Sequence, residues 1–129
     1  MSYFDDVKDF HFKVLGMLNW ECNQQLLGER THFLFEEVLE FDRAKNAYDT
    51  VGMADALADI IYVALGTAHI MDLPFEDIWA AVQKANMAKV RGTTKRGNAI
   101  DAAKPEGWVA PEAEIRALIT KRKLQRETL

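Results

Sequence analysis

The chain has 129 residues, of which 49% are apolar, and its formal net charge is −4 at pH 7. These values predict one domain spanning 1–129 with a single hydrophobic core, and the acidic balance argues against a general nucleic-acid-binding protein. Cys22 is the only cysteine in the sequence, so no internal disulfide forms, and we expect a buried thiol in a reducing, cytoplasmic setting. The sequence has no run of about 20 uninterrupted apolar residues, so no membrane span is expected.

Five helices and no strand are predicted, which gives an all-α fold class, a four- to five-helix bundle. Ser2 and Asp5 have the spacing of a capping box at the start of the first helix, and Gly28 interrupts the pattern before the second. Asp49 or Thr50 caps the third helix. The predicted helices span about 3–18, 29–48, 51–71, 74–91 and 111–126, so a helical core of about 3–91 is followed by an irregular loop over 92–110 and a C-terminal helix.

The third predicted helix is apolar nearly all the way round its axis, from Ala54 to Leu65. A helix of this kind is buried inside a bundle or across an interface between subunits. A monomeric bundle of this size does not enclose such a helix completely, so we expect an oligomer. The polar positions Asp55, Asp59 and Tyr62 lie on one narrow stripe, at spacings of four and three residues.

Acidic side chains follow one arc of the second predicted helix. Glu36, Glu37 and Glu40 share this arc because residues three and four apart lie on one face of a helix. Packed against the polar stripe of the third helix, this arc would bring Glu37 and Glu40 together with the two aspartates. Carboxylates are costly to bury unless paired, protonated or bound to a cation, and oxygen-only ligands favour Mg²⁺ or Mn²⁺ over Zn²⁺. The alternative is a solvated acidic face on which Arg43 pairs with Glu40.

The apolar stripe of the fourth predicted helix becomes polar and cationic at its end. It reads Phe75, Ile78, Trp79 and Val82, and the same period continues into Asn86 and Lys89. The segment 84–104 holds six basic residues and a single acid, Asp101; the basic residues are Lys84, Lys89, Arg91, Lys95, Arg96 and Lys104. Metal-holding carboxylates together with a basic segment suit a polyphosphate substrate, because the metal bridges phosphate oxygens while Lys and Arg offset the remaining charge. The alternatives are a solvated basic loop and, for Asn86, a hydrogen bond at the helix end.

Two aromatic side chains are weaker candidates for contact with a substrate. His11, beside Phe10 in the first predicted helix, is a candidate to flank a nucleobase, with a structural role as the alternative. Tyr62 shares the stripe of Asp59, so its hydroxyl is a candidate for the site, with core packing as the alternative. The sequence contains no G-x-x-x-x-G-K-[ST] loop and no G-x-G-x-x-G fingerprint.

Three motifs occur in a characteristic order along the chain. They are Glu36-Glu37-Val38-Leu39-Glu40, then Asp55-Ala56-Leu57-Ala58-Asp59 with its apolar continuation to Ala68, then Asn86-Met87-Ala88-Lys89. In order and spacing they resemble the all-α nucleoside triphosphate pyrophosphohydrolases, the superfamily of MazG and phosphoribosyl-ATP pyrophosphohydrolase, over about 6–111. The second motif of that superfamily is Glu-x-x-Asp, which would place Glu at position 56, where this chain has Ala56 preceded by Asp55.

The resemblance implies a fold of the all-α NTP pyrophosphatase type, assembled as a homodimer or a dimer of dimers, with Mg²⁺ as the cofactor and Mn²⁺ as the other candidate. The resemblance implies that Glu37, Glu40 and Asp59 bind the metal, with Asp55 assisting. It implies that Glu36 positions or deprotonates the attacking water. Phosphate binding is implied for Asn86, Lys89 and basic loop residues such as Lys104.

The implied reaction is hydrolysis of a nucleoside or deoxynucleoside triphosphate to the monophosphate and pyrophosphate, which would sanitise or balance a nucleotide pool. The expected partner is this nucleotide, with neither nucleic acid nor membrane. One alternative is a phosphoribosyl-ATP pyrophosphohydrolase of histidine synthesis. Another is a non-catalytic helical dimer that acts as a binding or assembly module, against which the acids at 36, 37, 40, 55 and 59 argue, because a pure scaffold has no use for buried charge.

Overall fold

In a computed structural model, the described residues 2–17, 22–92 and 101–128 form five helices and one antiparallel pair of short strands. The helices are α1 (Tyr3–Lys13), α2 (Gln24–Asn46), α3 (Thr50–Ile70), α4 (Phe75–Met87) and α5 (Glu112–Glu127), and the strands are β1 (Val90–Gly92) and β2 (Asp101–Ala103). The all-α fold class is confirmed. The expectation of no strand is wrong, because the segment at the predicted end of the fourth helix pairs with a segment inside the predicted loop 92–110.

The chain divides into two compact units, residues 1–73 and residues 74–129. The first unit contains α1, α2 and α3, and the second contains α4, the two strands and α5. The prediction of a single domain over 1–129 stays a prediction. Of the predicted loop 92–110, residues 93–100 lie outside the described part of the chain.

Each helix of the first unit begins at a side-chain cap. The Ser2 hydroxyl accepts the Asp5 N–H at 3.1 Å and the Asp5 carboxylate accepts the Ser2 N–H at 3.2 Å, so the predicted capping box is confirmed. Asn23 accepts the N–H of Leu26 before α2, and Asp49 caps α3 as one of the two predicted candidates. Each such cap stabilises its helix by about 1 kcal/mol. Gly28 does not interrupt α2, which begins before it.

Two helices of the first unit end in left-handed residues that are not glycine. Tyr48 and Asp72 both have φ of 54°. After α2 the N–H of Tyr48 donates to the Lys45 carbonyl and that of Asp49 donates to the Ala44 carbonyl. The same pair of hydrogen bonds closes α3, and this pattern defines a Schellman motif. These motifs satisfy the last carbonyls of each helix and turn the chain sharply.

The core of the first unit lies between α1 and α3, and α2 packs along α3. Its buried apolar side chains are Phe4, Val7, Ala56, Ala68 and Ile70. Gly66 of α3 stands where all three helices meet, because a Cβ at this position would lie 2.7 Å from Nη2 of Arg30 and 2.8 Å from Nε2 of His11. Arg30 also donates to the Thr67 hydroxyl at 3.0 Å and to the Val63 carbonyl at 2.9 Å, which ties α2 to α3. Cys22 is exposed, so the expected burial of this thiol is wrong.

α3 is long and apolar enough, by length and composition alone, to cross a membrane, with a mean hydropathy of 1.5. It carries Asp55 and Asp59, and carboxylates are rare and costly within membrane spans. It also packs against both α1 and α2. We therefore describe α3 as the central helix of the first unit.

The second unit is built on the buried face of α4, which carries Ile78, Ala81 and Ala85. The apolar stripe of α4 was expected to be buried, but Trp79 is 64% exposed, so the expected burial is wrong at this position. α4 ends four residues before the predicted end, because the chain from Val90 onward pairs with β2 in an antiparallel register. An open cleft of about 620 Å³ lies between α4, the segment 105–111 and the start of α5.

Candidate functional site

α2 presents one acidic side chain on the face that packs against α3. The partly covered positions of this helix are Leu26, Leu27, Arg30, Leu34, Glu37, Phe41 and Ala44. Most are three or four residues apart, as expected for the inward face of a helix. Glu37 is the acid on this face. Glu40 follows three residues later at its exposed edge, and Glu36 is exposed.

α3 likewise presents one carboxylate towards α2. In its first 14 residues the covered positions are Gly52, Met53, Ala56, Asp59, Ile60 and Val63. Because residues 47–49 join the two helices directly, α2 and α3 run antiparallel as a helical hairpin. Glu37 and Asp59 lie equally far along the chain from Tyr48, and the uniform rise of a helix therefore sets them at the same level of the hairpin.

The hairpin brings three of the predicted ligands together. One carboxylate oxygen from each of Glu37, Glu40 and Asp59 lies within 4.8 Å of the other two. Glu37 and Asp59 are half-buried, whereas Glu40 is exposed, so the group is open to solvent on one side. We call these three residues the carboxylate group.

The electrostatics of the carboxylate group disfavour its full negative charge. Burial raises the pKa of Glu37, and the neighbouring charges of Glu40 and Asp59 raise it further. The Oε2 atom of Glu37 is buried without a hydrogen-bond partner. An unsatisfied buried carboxylate oxygen is costly, and a cation at this position would satisfy it.

The donor set suits a hard divalent cation. Its three ligands are all carboxylate oxygens, which Mg²⁺ and Mn²⁺ prefer and which zinc sites rarely use alone. Three protein ligands would leave coordination positions for water and for phosphate oxygens, the usual arrangement of magnesium in enzymes that act on nucleotides. The carboxylate group therefore fits the metal that the sequence predicts.

Two of the predicted acids lie outside the carboxylate group. Asp55 is exposed one helical turn before Asp59, and its charge makes the smallest contribution to the raised pKa of Glu37. Glu36 is exposed on α2 beside Glu37. Both are near the group along the chain, and their roles in it stay predictions.

The two aromatic candidates pack within the first unit. The ring of Tyr62 stands edge-on to Phe10 of α1, with centroids 5.5 Å apart, and lines a groove between α1 and α3. His11 is 2% exposed, with its ring 5.4 Å from that of His69. Burial lowers the pKa of His11 to about 4, and the charges of His69 and Arg30 lower it as well. This burial favours the structural alternative for His11 over contact with a base.

The predicted phosphate-binding residues belong to the second unit. Asn86 lies in the last turn of α4, and its carbonyl accepts the N–H of Lys89. Lys89 directly precedes β1 and Lys104 directly follows β2. The ammonium groups of Lys89 and Lys104 lie 5.3 Å and 5.1 Å from the ring centroid of Trp108. Sequence reasoning missed Trp108, for which the one available signal was an isolated aromatic residue in a polar segment.

Comparison with known proteins assigns the family. The model of the phosphoribosyl-ATP pyrophosphohydrolase family matches residues 19–86, just over half of the chain, and so covers α2, α3 and the carboxylate group. No curated protein matches the chain. The match shows a pyrophosphohydrolase, a hydrolase that acts on phosphoric anhydride bonds. The chain belongs to the phosphoribosyl-ATP pyrophosphohydrolase family, within the all-α NTP pyrophosphohydrolase superfamily.

Proposed function

We propose that the protein is a Mg²⁺-dependent pyrophosphohydrolase that converts nucleoside or deoxynucleoside triphosphates to the monophosphate and pyrophosphate. The observation that carries this proposal is the carboxylate group, in which Glu37, Glu40 and Asp59 converge around a buried oxygen that has no partner. The role in the cell would be to sanitise or balance a nucleotide pool, in a reducing cytoplasm that suits the exposed thiol of Cys22.

Glu37, Glu40 and Asp59 would hold the metal, with Asp55 assisting through its charge. The bound ion would supply positive charge to the phosphate oxygens as negative charge develops on them. Mn²⁺ satisfies the same oxygen ligands.

Glu36 would orient the attacking water and accept its proton. The new bond joins the water oxygen to phosphorus, and the bridging P–O bond to the leaving group, pyrophosphate or the nucleoside monophosphate, breaks in line with it. No covalent enzyme intermediate is needed. In the second unit, Asn86, Lys89 and Lys104 would bind phosphate oxygens through charge-assisted hydrogen bonds. Tyr62 would contact the substrate. His11 would support the junction of the three helices beside Gly66.

A second candidate substrate is phosphoribosyl-ATP, which the matching family model favours by its description. It presents the same triphosphate chain to the metal, so the carboxylate group supports both substrates equally. Membership of a family of pyrophosphohydrolases argues against the non-catalytic alternative.

A product assay tests the proposal. The protein is incubated with Mg²⁺ and, separately, with each nucleoside triphosphate, each deoxynucleoside triphosphate and phosphoribosyl-ATP, and the phosphate products are identified by ³¹P NMR. We expect pyrophosphate and the monophosphate. Turnover of phosphoribosyl-ATP alone would select the second candidate, and release of orthophosphate would contradict this reaction class.

Matched variants test the ligands. Glu40→Gln and Asp59→Asn keep side-chain shape but remove a charged ligand. Each should lower kcat/KM by about 100-fold or more, because loss of a group that only supports a metal ligand already costs about 10- to 100-fold. Asp42→Asn is the control, because Asp42 is an exposed acid on the same helix that pairs with Lys45 at 2.8 Å and lies outside the carboxylate group. Near-normal turnover in Asp59→Asn would overturn the metal assignment.

We also propose that a second copy of the chain covers the first unit, in a homodimer or dimer of dimers. The hairpin leaves large apolar side chains in solvent at four-residue spacings on both helices: Phe35 and Leu39 on α2, Leu57 and Ile61 on α3, each about half exposed or more. Several large apolar side chains exposed on one pair of helices are typical of an interaction site. Sedimentation equilibrium measures the subunit number, and a monomer at micromolar concentration would contradict this proposal.

A further inference from the structure

The register of the two strands sets two lysines opposite each other. Val90 of β1 pairs with Ala103 of β2. Lys89 directly precedes Val90 and Lys104 directly follows Ala103, so the same antiparallel register, continued by one residue, sets the two lysines face to face. Like charges at directly opposed positions destabilise a pair of strands. Their neighbours therefore have to offset that repulsion.

Trp108 contacts both lysines. Each ammonium lies within 5.3 Å of the centroid of its ring, a distance at which a cation is attracted to the face of an indole. The indole N–H donates to the Ala85 carbonyl at 2.7 Å. This carbonyl lies in the last turn of α4, where the N–H of Lys89 donates to Asn86 instead. Trp108 therefore caps the helix and is held in place by it.

The two ammonium groups are restrained without being neutralised. Within the described ranges, neither Lys89 nor Lys104 forms an ion pair with a carboxylate, whereas nearby Lys84 pairs with Glu114 at 3.0 Å. Contact with an aromatic face limits the rotamers of a lysine but leaves its charge and its N–H donors available. Two restrained cations with free donors form a preorganised site for an anion of more than one charge.

We propose that Trp108 is a positioning residue that holds Lys89 and Lys104 as one binding site for the phosphate oxygens of a polyphosphate chain. The identity of the ligand as a nucleotide polyphosphate rests on the proposed function. The site itself depends on the second unit alone. Trp108 acts through the two lysines, by fixing their ammonium groups before the ligand arrives.

Binding of inorganic pyrophosphate in the presence of EDTA isolates this site, because without a divalent ion the carboxylate group repels an anion. Isothermal titration should give a Kd about tenfold higher for Trp108→Leu than for the unaltered protein. Trp108→Phe retains an aromatic face and should stay within about threefold. Lys84→Met is the matched control, because Lys84 is already paired with Glu114, and it should leave Kd unchanged.

A double-mutant cycle separates positioning from a general loss of structure. If Trp108 acts through Lys104, the effects of Trp108→Leu and Lys104→Met on pyrophosphate binding will not add. In turnover of the triphosphate, Trp108→Leu should raise KM and leave kcat nearly unchanged. Should Trp108→Leu not fold, the comparison of Trp108→Phe with Lys104→Met still decides, since only the second should weaken binding about tenfold.

Three results would overturn the inference: no binding of pyrophosphate by the unaltered protein, equal binding by Trp108→Leu, or a loss in Trp108→Phe as large as that in Trp108→Leu. Failure of the proposed function is recognised separately. Pyrophosphate binding that depends on Trp108, with no hydrolysis of any triphosphate, would reject the reaction and keep the site. Hydrolysis without such binding would reject the site and keep the reaction.

Discussion

Replacing Glu37 by Gln should have opposite effects on stability with and without Mg²⁺. In the metal-free protein the Glu37 carboxylate faces Glu40 and Asp59, with ligand oxygens within 4.8 Å of one another. The raised pKa of Glu37 reports the burial and repulsion that result. Gln has the same shape, carries no charge and can donate a hydrogen bond to Glu40. The variant should therefore be more stable than the unaltered protein when no metal is present.

The magnitude follows from the separation of the charges. Two unit charges at this distance repel by about 1 kcal/mol in a medium with the dielectric constant of water, the appropriate value because Glu40 is exposed. Glu37 takes part in two such pairs, and salt screens part of the repulsion, so Glu37→Gln should stabilise the metal-free protein by about 1–2 kcal/mol. Mg²⁺ at 100 times its Kd adds about 2.7 kcal/mol to a protein that binds it only when folded. Most of that gain should be lost in the variant.

Urea unfolding at pH 7, in EDTA and then in excess MgCl₂, measures both effects. Asp42→Asn serves as the control, because it removes an acid that is paired with Lys45 rather than one facing other acids. That control should be neutral or slightly destabilising, and Mg²⁺ should stabilise it fully. The reasoning would be refuted if Glu37→Gln were less stable than the control in EDTA, or if Mg²⁺ stabilised it as much as the unaltered protein.

Three further predictions concern packing, pH and assembly. Gly66→Ala should lower the free energy of unfolding by about 2–3 kcal/mol, because its Cβ would overlap two neighbouring side chains. Gly28→Ala, whose Cβ meets nothing within 4 Å, should raise it by about 0.5–1 kcal/mol. Urea unfolding compares the two variants, and equal effects would contradict the packing argument. The free energy of unfolding should fall by about 2 kcal/mol as pH falls from 6.5 to 4, because the lowered pKa of His11 means that the unfolded chain binds the proton more readily. His11→Gln should remove most of this loss of stability, and a pH profile of stability unchanged by this substitution would refute the prediction. Ile61→Lys should convert an oligomer to smaller species in sedimentation experiments, because it places a charge on the exposed apolar face of α3; an unchanged subunit number would place the interface elsewhere.

The helical hairpin and its carboxylate group could be predicted because both follow from local rules. Spacings of three and four residues determine which side chains share a face. A connection of three residues forces α2 and α3 to be antiparallel neighbours. With those two facts, equal distances from Tyr48 are enough to bring Glu37 level with Asp59. The convergence of these acids therefore needs no long-range information beyond the turn itself.

The ends of helices and the second unit depended on information that no local pattern carries. A left-handed residue after a helix is usually glycine, but here Tyr48 and Asp72 take that conformation, so the prediction extended α2 to Tyr48. α4 was predicted to continue to Arg91 because nothing local stops it. It ends at Met87 because Val90–Gly92 pairs with a strand about ten residues further along the chain. The contacts of Trp108 depend on the same pairing.

Asp55 shows how far helical spacing alone can be taken. Asp55 and Asp59 are four residues apart, so they share a stripe, and the spacing alone predicts both as metal ligands. Each residue of a helix turns the chain by about 100°, so side chains four residues apart point in directions that differ by about 40°. The covered positions of α3 pass through Ala56 and Asp59, so the inward place one turn before Asp59 is occupied by a methyl group, and Asp55 is turned outward. We therefore expect Asp55 to act on the carboxylate group through its charge, which makes the smallest contribution to the raised pKa of Glu37. An exposed charge of this kind is screened by salt, whereas a direct ligand is not, so the effect of Asp55→Asn on Mg²⁺ affinity should fade at high ionic strength while that of Asp59→Asn persists.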